Sequence, residues 1–328
     1  MPLPVHLLTG FLGSGKTTLL SRLLHQPAFA DTAVIINELG DVGLDHLLVD
    51  RGSEDDVVLL DSGCLCCALG NSLQETLESL HFRRHRGEIP AFARVVIETT
   101  GVADPGPIAA TLALDGAIAR HYRLGSIVTV VDAIHGEAQL SRFPEARRQV
   151  AMADRIVVSK GDVAADGIVH VMAILAKANP YAVRTTASSG DIPATDVFVD
   201  VHAPQALREL SNATHDHAHD HEHPHDHLAE QDITATTIRL DAPLAWPRYA
   251  AWVQWAQRTL GERLLRMKGA VRMDDGQAHA LHAVMRLFSP PVPLPSLPDA
   301  MGEGVIVLVL QDVSPALQDE ARRRLIAD

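Results

Sequence analysis

Residues Thr9 to Thr18 read Thr-Gly-Phe-Leu-Gly-Ser-Gly-Lys-Thr-Thr, and no other stretch constrains the fold as tightly. Gly10 and Gly15-Lys16-Thr17 fit the pattern Gly-x-x-x-x-Gly-Lys-[Ser/Thr]. The flanks agree with it. Val5-His6-Leu7-Leu8 is an apolar run of buried-strand character, and Leu19, Leu20, Leu23 and Leu24 recur at helical spacing after the loop. A strand–loop–helix turn of this kind aims successive backbone N–H groups at phosphate oxygens, aided by the positive end of the helix. Lys16 then reaches the β- and γ-phosphates, and the Thr17 hydroxyl ligates Mg²⁺.

The rest of the first two-thirds repeats the strand–helix rhythm. Candidate strands are Val5–Thr9, Ala33–Asn37, Val57–Asp61, Val95–Glu98, Ile127–Asp132 and Ile156–Ser159. Helical patterns cover Ser72–Arg84, Ile108–Ala119 and Ala164–Ala178. Such alternation predicts an α/β domain over residues 1–211, a mostly parallel sheet with helices on both faces, whose ligands sit at the carboxyl ends of the strands. Residues 212–232, nearly devoid of apolar side chains, read as a His-rich linker. A smaller α+β domain follows over 233–328. Its expected strands are Thr234–Leu240, Leu264–Met273, His279–Phe288 and Val305–Leu310. Helices are expected at Pro247–Leu260 and Pro315–Ile326, and Ser289–Pro298 reads as an extended loop.

Three further motifs follow candidate strands. Glu98-Thr99-Thr100-Gly101 has the acid–glycine spacing of a nucleotide switch, in which the carboxylate holds Mg²⁺ directly or through water and the Gly101 N–H senses the γ-phosphate. Ser159-Lys160-Gly161-Asp162 matches [Asn/Thr/Ser]-Lys-x-Asp, whose carboxylate, here Asp162, accepts hydrogen bonds from guanine N1 and N2. Adenine lacks that donor pair, so the design discriminates against it. Asn37-Glu38-Leu39-Gly40-Asp41 stands where a first switch loop belongs, and Glu38 or Asp41 would touch Mg²⁺, position water or ligate another metal.

The metal-binding chemistry is concentrated in two places. Cys64, Cys66 and Cys67 are the only cysteines. They lie too close together for a disulfide framework, so reduced thiols in the cytoplasm are expected. Neighbouring thiolates suit a thiophilic ion such as Zn²⁺, at about 2.3 Å per sulfur. Cys64 and Cys66 fall on one side of an extended segment, with Cys67 reached by a turn. Three thiolates leave a fourth position for water, Glu38, a histidine or a partner. His215, His217, His219, His221, His223, His225 and His227 occupy every second position of the linker, and their imidazoles suit Zn²⁺, Co²⁺, Ni²⁺ or Cu²⁺.

A net charge of −13 leaves no basic field for a general nucleic-acid binder. No apolar run is long enough to span a bilayer, and none at the N-terminus reads as a cleavable signal. A P-loop kinase is disfavoured by Ser159–Asp162. A passive metal buffer, using the histidines and cysteines with nucleotide binding only regulatory, is the alternative to an enzyme.

Taken together, Thr9–Thr18, Asn37-Glu38, Gly63–Cys67, Glu98–Pro105 and Ser159–Asp162 resemble the CobW-like metallochaperone GTPases, in particular their YjiA-type branch. Leu264–Gly269 resembles the carboxy-terminal domain of that family. The resemblance implies GTP hydrolysis coupled to delivery of zinc, or of Co²⁺ or Ni²⁺, to a metalloprotein client, with nucleotide- or metal-dependent self-association. It implies that Gly13, Ser14, Gly15, Lys16, Thr17 and Thr18 bind phosphates and that Glu98 serves Mg²⁺. It further implies that Lys160 and Asp162 bind guanine and that Cys64, Cys66 and Cys67 bind the delivered metal. Leu39 and Asp41 replace the Phe and Glu usual in the family.

Overall fold

A computed structural model describes residues 2–36, 57–59, 65–68, 72–187, 191–201, 203, 205–206, 208–210, 212 and 233–326, with 57–59 and 65–68 given as backbone. Two compact units emerge. One comprises residues 1–174 and 183–200, the other 175–182 and 201–328.

The first unit is built on β1 (Leu3–Thr9), β2 (Thr32–Ile36), β3 (Val57–Leu59), β4 (Leu65–Ala68), β5 (Arg94–Glu98), β6 (Tyr122–Asp132), β7 (Arg155–Ser159) and β8 (Val183–Ala187). They form one sheet in the order β3-β4-β2-β5-β1-β6-β7-β8. Every neighbouring pair is parallel except β3–β4. Val57–Asp61 was expected among parallel strands, but only residues 60–64 separate β3 from β4. Such a connection is too short for a parallel crossover, so β3 runs antiparallel at the edge.

The helices of this unit are α1 (Lys16–Leu23), α2 (Leu73–His85), α3 (Pro105–Leu114), α4 (Gly136–Arg142), α5 (Pro144–Met152), α6 (Ala165–Ala178, of which the residues through 174 belong to it) and α7 (Ala194–Val197). Local chemistry sets their ends. Ser72 accepts from the Glu75 amide while Glu75 returns a bond to the Ser72 amide, a reciprocal cap that starts α2. The helix expected over Ile108–Ala119 starts earlier, because Asp104 caps it and Pro105 occupies its first position, and it stops at Leu114. Asp115 there turns its carboxylate to the amides of Ala117 and Ile118 instead of continuing the helix. The core runs along the inner strands, with Leu8, Leu19, Leu20, Leu23, Val34, Val96 and Val128 all sealed from solvent.

The second unit contains β9 (Ile233–Arg239), β10 (Leu264–Arg272), β11 (Ala278–Val284), β12 (Leu287–Phe288), β13 (Val292–Leu294) and β14 (Gly304–Gln311), with α8 (Trp246–Thr259) and α9 (Pro315–Ile326). Its sheet is antiparallel, in the order β12-β11-β10-β14-β9. The Ser289–Pro298 loop is not wholly irregular, since β13 within it pairs with β11. The strand expected over His279–Phe288 breaks into a hairpin at Met285, where φ is 53°. Trp252 of α8 is buried and donates its indole N–H to the Ala321 carbonyl of α9 at 2.9 Å, tying the two helices together over Met267, Leu281 and Leu308. Among the described residues no helix is long and apolar enough to cross a membrane.

Candidate functional site

The carboxyl end of β1 lies between β5 and β6, the central crevice of the sheet, where ligands of such folds bind. The chain leaves β1 through Gly10, whose φ is 143° and whose missing Cβ would lie 2.3 Å from the Val130 carbonyl oxygen. Only glycine fits there. Gly13 and Gly15 take φ values of 73° and 92°, and Gly15 leads directly into α1. The Ser14 amide donates to the Phe11 carbonyl at 3.1 Å, closing the loop. Lys16 is buried in the first turn of α1, its ammonium 2.9 Å from the Gly10 carbonyl, whereas Thr18 on the same turn is exposed.

Thr17 donates its hydroxyl to Glu98 Oε1 at 2.7 Å, and Glu98 is fully buried at the end of β5. Two hard oxygens this close match neighbouring ligands of a small octahedral cation, whose oxygen ligands sit at about 2.0–2.1 Å. The donor set therefore fits Mg²⁺. Three residues on, Gly101 lies against the phosphate loop, and a Cβ there would stand 2.8 Å from both the backbone N and Cα of Leu12. The Thr99 amide donates to the Leu8 carbonyl at 3.0 Å, fastening this segment to the end of β1.

The third wall comes from β7. Ser159, standing for the commoner Asn of the motif, donates to the Ser14 carbonyl at 2.6 Å. Lys160 adopts φ 58° and spans the site, its ammonium 2.8 Å from the Gly13 carbonyl and 2.7 Å from Asp132 Oδ2. Asp162 is exposed on the turn that follows. Asp132, at the end of β6, is 1 % exposed, and its other oxygen accepts from the Ile134 amide at 2.7 Å. Sequence reading included Asp132 in a strand and gave it no role. The available signal was its place, a carboxylate ending an apolar strand, as Glu98 does.

Gly10, Gly13, Ser14, Gly15, Lys16, Thr17, Thr18, Glu98, Gly101, Lys160 and Asp162 thus gather at the carboxyl ends of β1, β5 and β7. Glu38, Asp41, Cys64 and the histidines from His215 to His227 lie outside the described residues. Cys66 and Cys67 are consecutive residues of β4, level with Val34 and Ile35 of β2. The strand therefore continues through Cys67 where a turn was expected. Among the described residues no group of three or more His, Cys, Asp or Glu is placed to hold a metal ion.

A glycine-lined loop between strand and helix, an acid at the neighbouring strand end and a Ser-Lys-x-Asp turn define a P-loop nucleotide-binding domain, here joined to a smaller α+β domain. Residues 4–184 match the nucleotide-binding domain family of CobW, HypB and UreG, and residues 233–326 match the C-terminal domain of the cobalamin synthesis protein cobW. The chain belongs to this CobW family. It is 34 % identical to the zinc chaperone YjiA of Escherichia coli strain K12, covering 88 % of each chain. It is 31 % identical to the zinc-regulated GTPase metalloprotein activator 1 of Schizosaccharomyces pombe, over 88 % of this chain and 76 % of that one. The crystal structure of Zn(II)-bound YjiA GTPase from E. coli superimposes with a TM-score of 0.72 at 30 % identity, covering 99 % of this chain and 98 % of that chain.

Proposed function

We propose that this protein hydrolyses GTP to GDP and phosphate, and that its nucleotide state governs uptake and release of zinc carried as cargo at Cys64, Cys66 and Cys67. Lys16 and the loop amides bind the phosphates, and Thr17 with Glu98 holds the Mg²⁺ that neutralises charge on the β- and γ-oxygens. Lys160 and Asp162 hold guanine, and Glu38 serves the metal or the attacking water. The cytoplasm is the compartment in which such thiols stay reduced, and a metalloprotein is the expected recipient.

The observation that carries the coupling is a row of backbone register across the sheet. Leu8 of β1 pairs with Glu98 of β5, Glu98 with Ile36 of β2, and Ile36 with Ala68 of β4. The cysteine strand therefore stands two strands from the Mg²⁺ carboxylate, about 10 Å at the usual strand spacing. Between them runs β2, whose end leads straight to Glu38. Coupling through this strand is reciprocal: if GTP changes zinc affinity, zinc changes GTP affinity by the same factor.

The test is turnover of GTP and of ATP by the purified, tag-free protein with Mg²⁺, with and without one equivalent of Zn²⁺, beside Cys66→Ala. GTP-selective turnover that zinc alters in the wild type but not in Cys66→Ala supports the reading. GTP turnover indifferent to zinc and to Cys66 would leave a GTPase without the chaperone coupling. Zinc uptake with no GTP turnover would leave a metal buffer.

A further inference from the structure

The turn that follows Glu98 is gripped from behind by α5. The Ala103 amide closes it by donating to the Thr100 carbonyl at 3.1 Å. Gln149, 1 % exposed, spends both hydrogens of one carboxamide on this turn, donating from Nε2 to the Gly101 carbonyl at 3.2 Å and to the Ala103 carbonyl at 2.9 Å. Its own main-chain carbonyl accepts from the Thr129 hydroxyl of β6 at 2.8 Å, so the anchor is rigid. The preceding residue adds a second hold, since Arg148 Nε stands 2.7 Å from Asp104 Oδ2, while the other Asp104 oxygen accepts from the Gly106 amide at the start of α3.

The same α4–α5 corner also touches the phosphate loop. Gln139 donates to the Leu12 carbonyl at 3.3 Å, and Phe143 stacks on Phe11 with ring centroids 4.5 Å apart. Gly101 itself lies against Leu12. Turn and phosphate loop are therefore two surfaces bridged by one element.

An apolar residue would fill the Gln149 position at lower energetic risk, because a buried amide is costly unless bonded. Its Oε1 is buried with no hydrogen-bond partner among the described residues, so the side chain is half satisfied and its value lies in the two donors. We infer that Gln149 is a positioning residue for GTP hydrolysis, holding the Gly101–Ala103 turn against the phosphate loop so that the Gly101 N–H meets the γ-phosphate. This rests on the GTPase reading above. GDP lacks that phosphate and makes no use of the turn.

The full chain is compared with Gln149→Met, which keeps the length and removes the donors, Gln149→Glu, which sets carboxylate oxygens against the same carbonyls, and Arg148→Ala, which releases the partly exposed Asp104 pair. Dissociation constants are measured for GDP and for a non-hydrolysable GTP analogue, together with kcat and KM for GTP. The expected result for Gln149→Met is a fall of about 10-fold in kcat and in analogue affinity, for two lost neutral hydrogen bonds, with GDP affinity kept within about twofold. Gln149→Glu falls at least as far, and Arg148→Ala moves in the same selective direction. Should the Gln149 variants not fold, Arg148→Ala decides alone. Parallel losses for GDP and analogue, or wild-type behaviour throughout, overturn the inference and leave the GTPase reading standing. No guanine-nucleotide turnover in the wild type overturns both.

Discussion

Asp132→Asn isolates the ion pair that joins β6 to the Lys160 turn. In the wild type the Lys160 ammonium lies 2.7 Å from Asp132 Oδ2 and 2.8 Å from the Gly13 carbonyl, so one side chain joins the Ser159–Asp162 turn to the phosphate loop. An asparagine keeps an oxygen for the Ile134 amide and turns an NH₂ toward the ammonium, setting donor against donor. The lost interaction is a charge-assisted hydrogen bond, which contributes about 1.5–3 kcal/mol. The Lys160 side chain is 37 % exposed, and solvent screening places the loss near the lower bound. About 1.5–2 kcal/mol corresponds to roughly 10- to 30-fold weaker GDP binding. The assay is calorimetric titration of GDP at fixed Mg²⁺ and salt, with ATP as the specificity control. Lys160→Met and the double variant complete a mutant cycle. If the pair acts as one unit, Asp132→Asn has little further effect in the Lys160→Met background. Unchanged GDP affinity in a folded Asp132→Asn protein, or fully additive losses, would refute the reasoning.

Gly10→Ala should abolish nucleotide binding and lower the melting temperature, because its Cβ would meet the Val130 carbonyl at 2.3 Å. Gly13→Ala meets nothing within 4 Å and should lose only about 1–2 kcal/mol to its positive φ, so comparable melting curves for the two would contradict the loop geometry. Glu98→Gln should lower kcat for GTP at least about 100-fold, with a higher Mg²⁺ requirement in titrations of turnover; an unaltered Mg²⁺ profile would remove Glu98 from the metal site. His6 is fully buried on β1, 2.7 Å from the Ser126 hydroxyl, and burial, partly offset by Asp200, lowers its pKa to about 4. The unfolded chain binds that proton near 6.5, so between pH 6.5 and 4 the unfolded state holds more protons and stability is lost as the pH is lowered. The loss totals about 3 kcal/mol and is complete below pH 4. Denaturant titrations across that range should show this slope in the wild type and lose it in His6→Asn, and a slope retained in the variant would assign it to other groups.

Features written in contiguous residues were legible before any fold was known. The phosphate loop, Glu98 to Gly101, Ser159 to Asp162, the cysteine trio and the alternating histidines each carry their chemistry within a few positions. The strand–helix rhythm around them is a matter of local periodicity. Pro315–Ile326 was readable to the residue, since an amphipathic helix bounded by Pro315 needs no distant partner for its definition. The short strands β4, β8 and β13 were not resolved as strands, because three to five residues of ambiguous pattern become a strand only when a neighbour supplies the ladder. The direction of β3 followed from its connection length and partner.

Side chains whose role comes from another part of the chain were invisible. Asp132 means little until Lys160 lies against it, and Gln149 is one polar residue in a helix until the turn at Gly101 arrives. The need for glycine at Gly10 and Gly101 is likewise tertiary in origin, because the atoms a Cβ would strike belong to Val130 and Leu12. Sequence by itself thus determined the identity and local spacing of the candidate groups for phosphate, guanine and metal, since those are properties of the residues. Tertiary structure alone decided which groups hold them in place, since distance and burial arise only when separate segments pack.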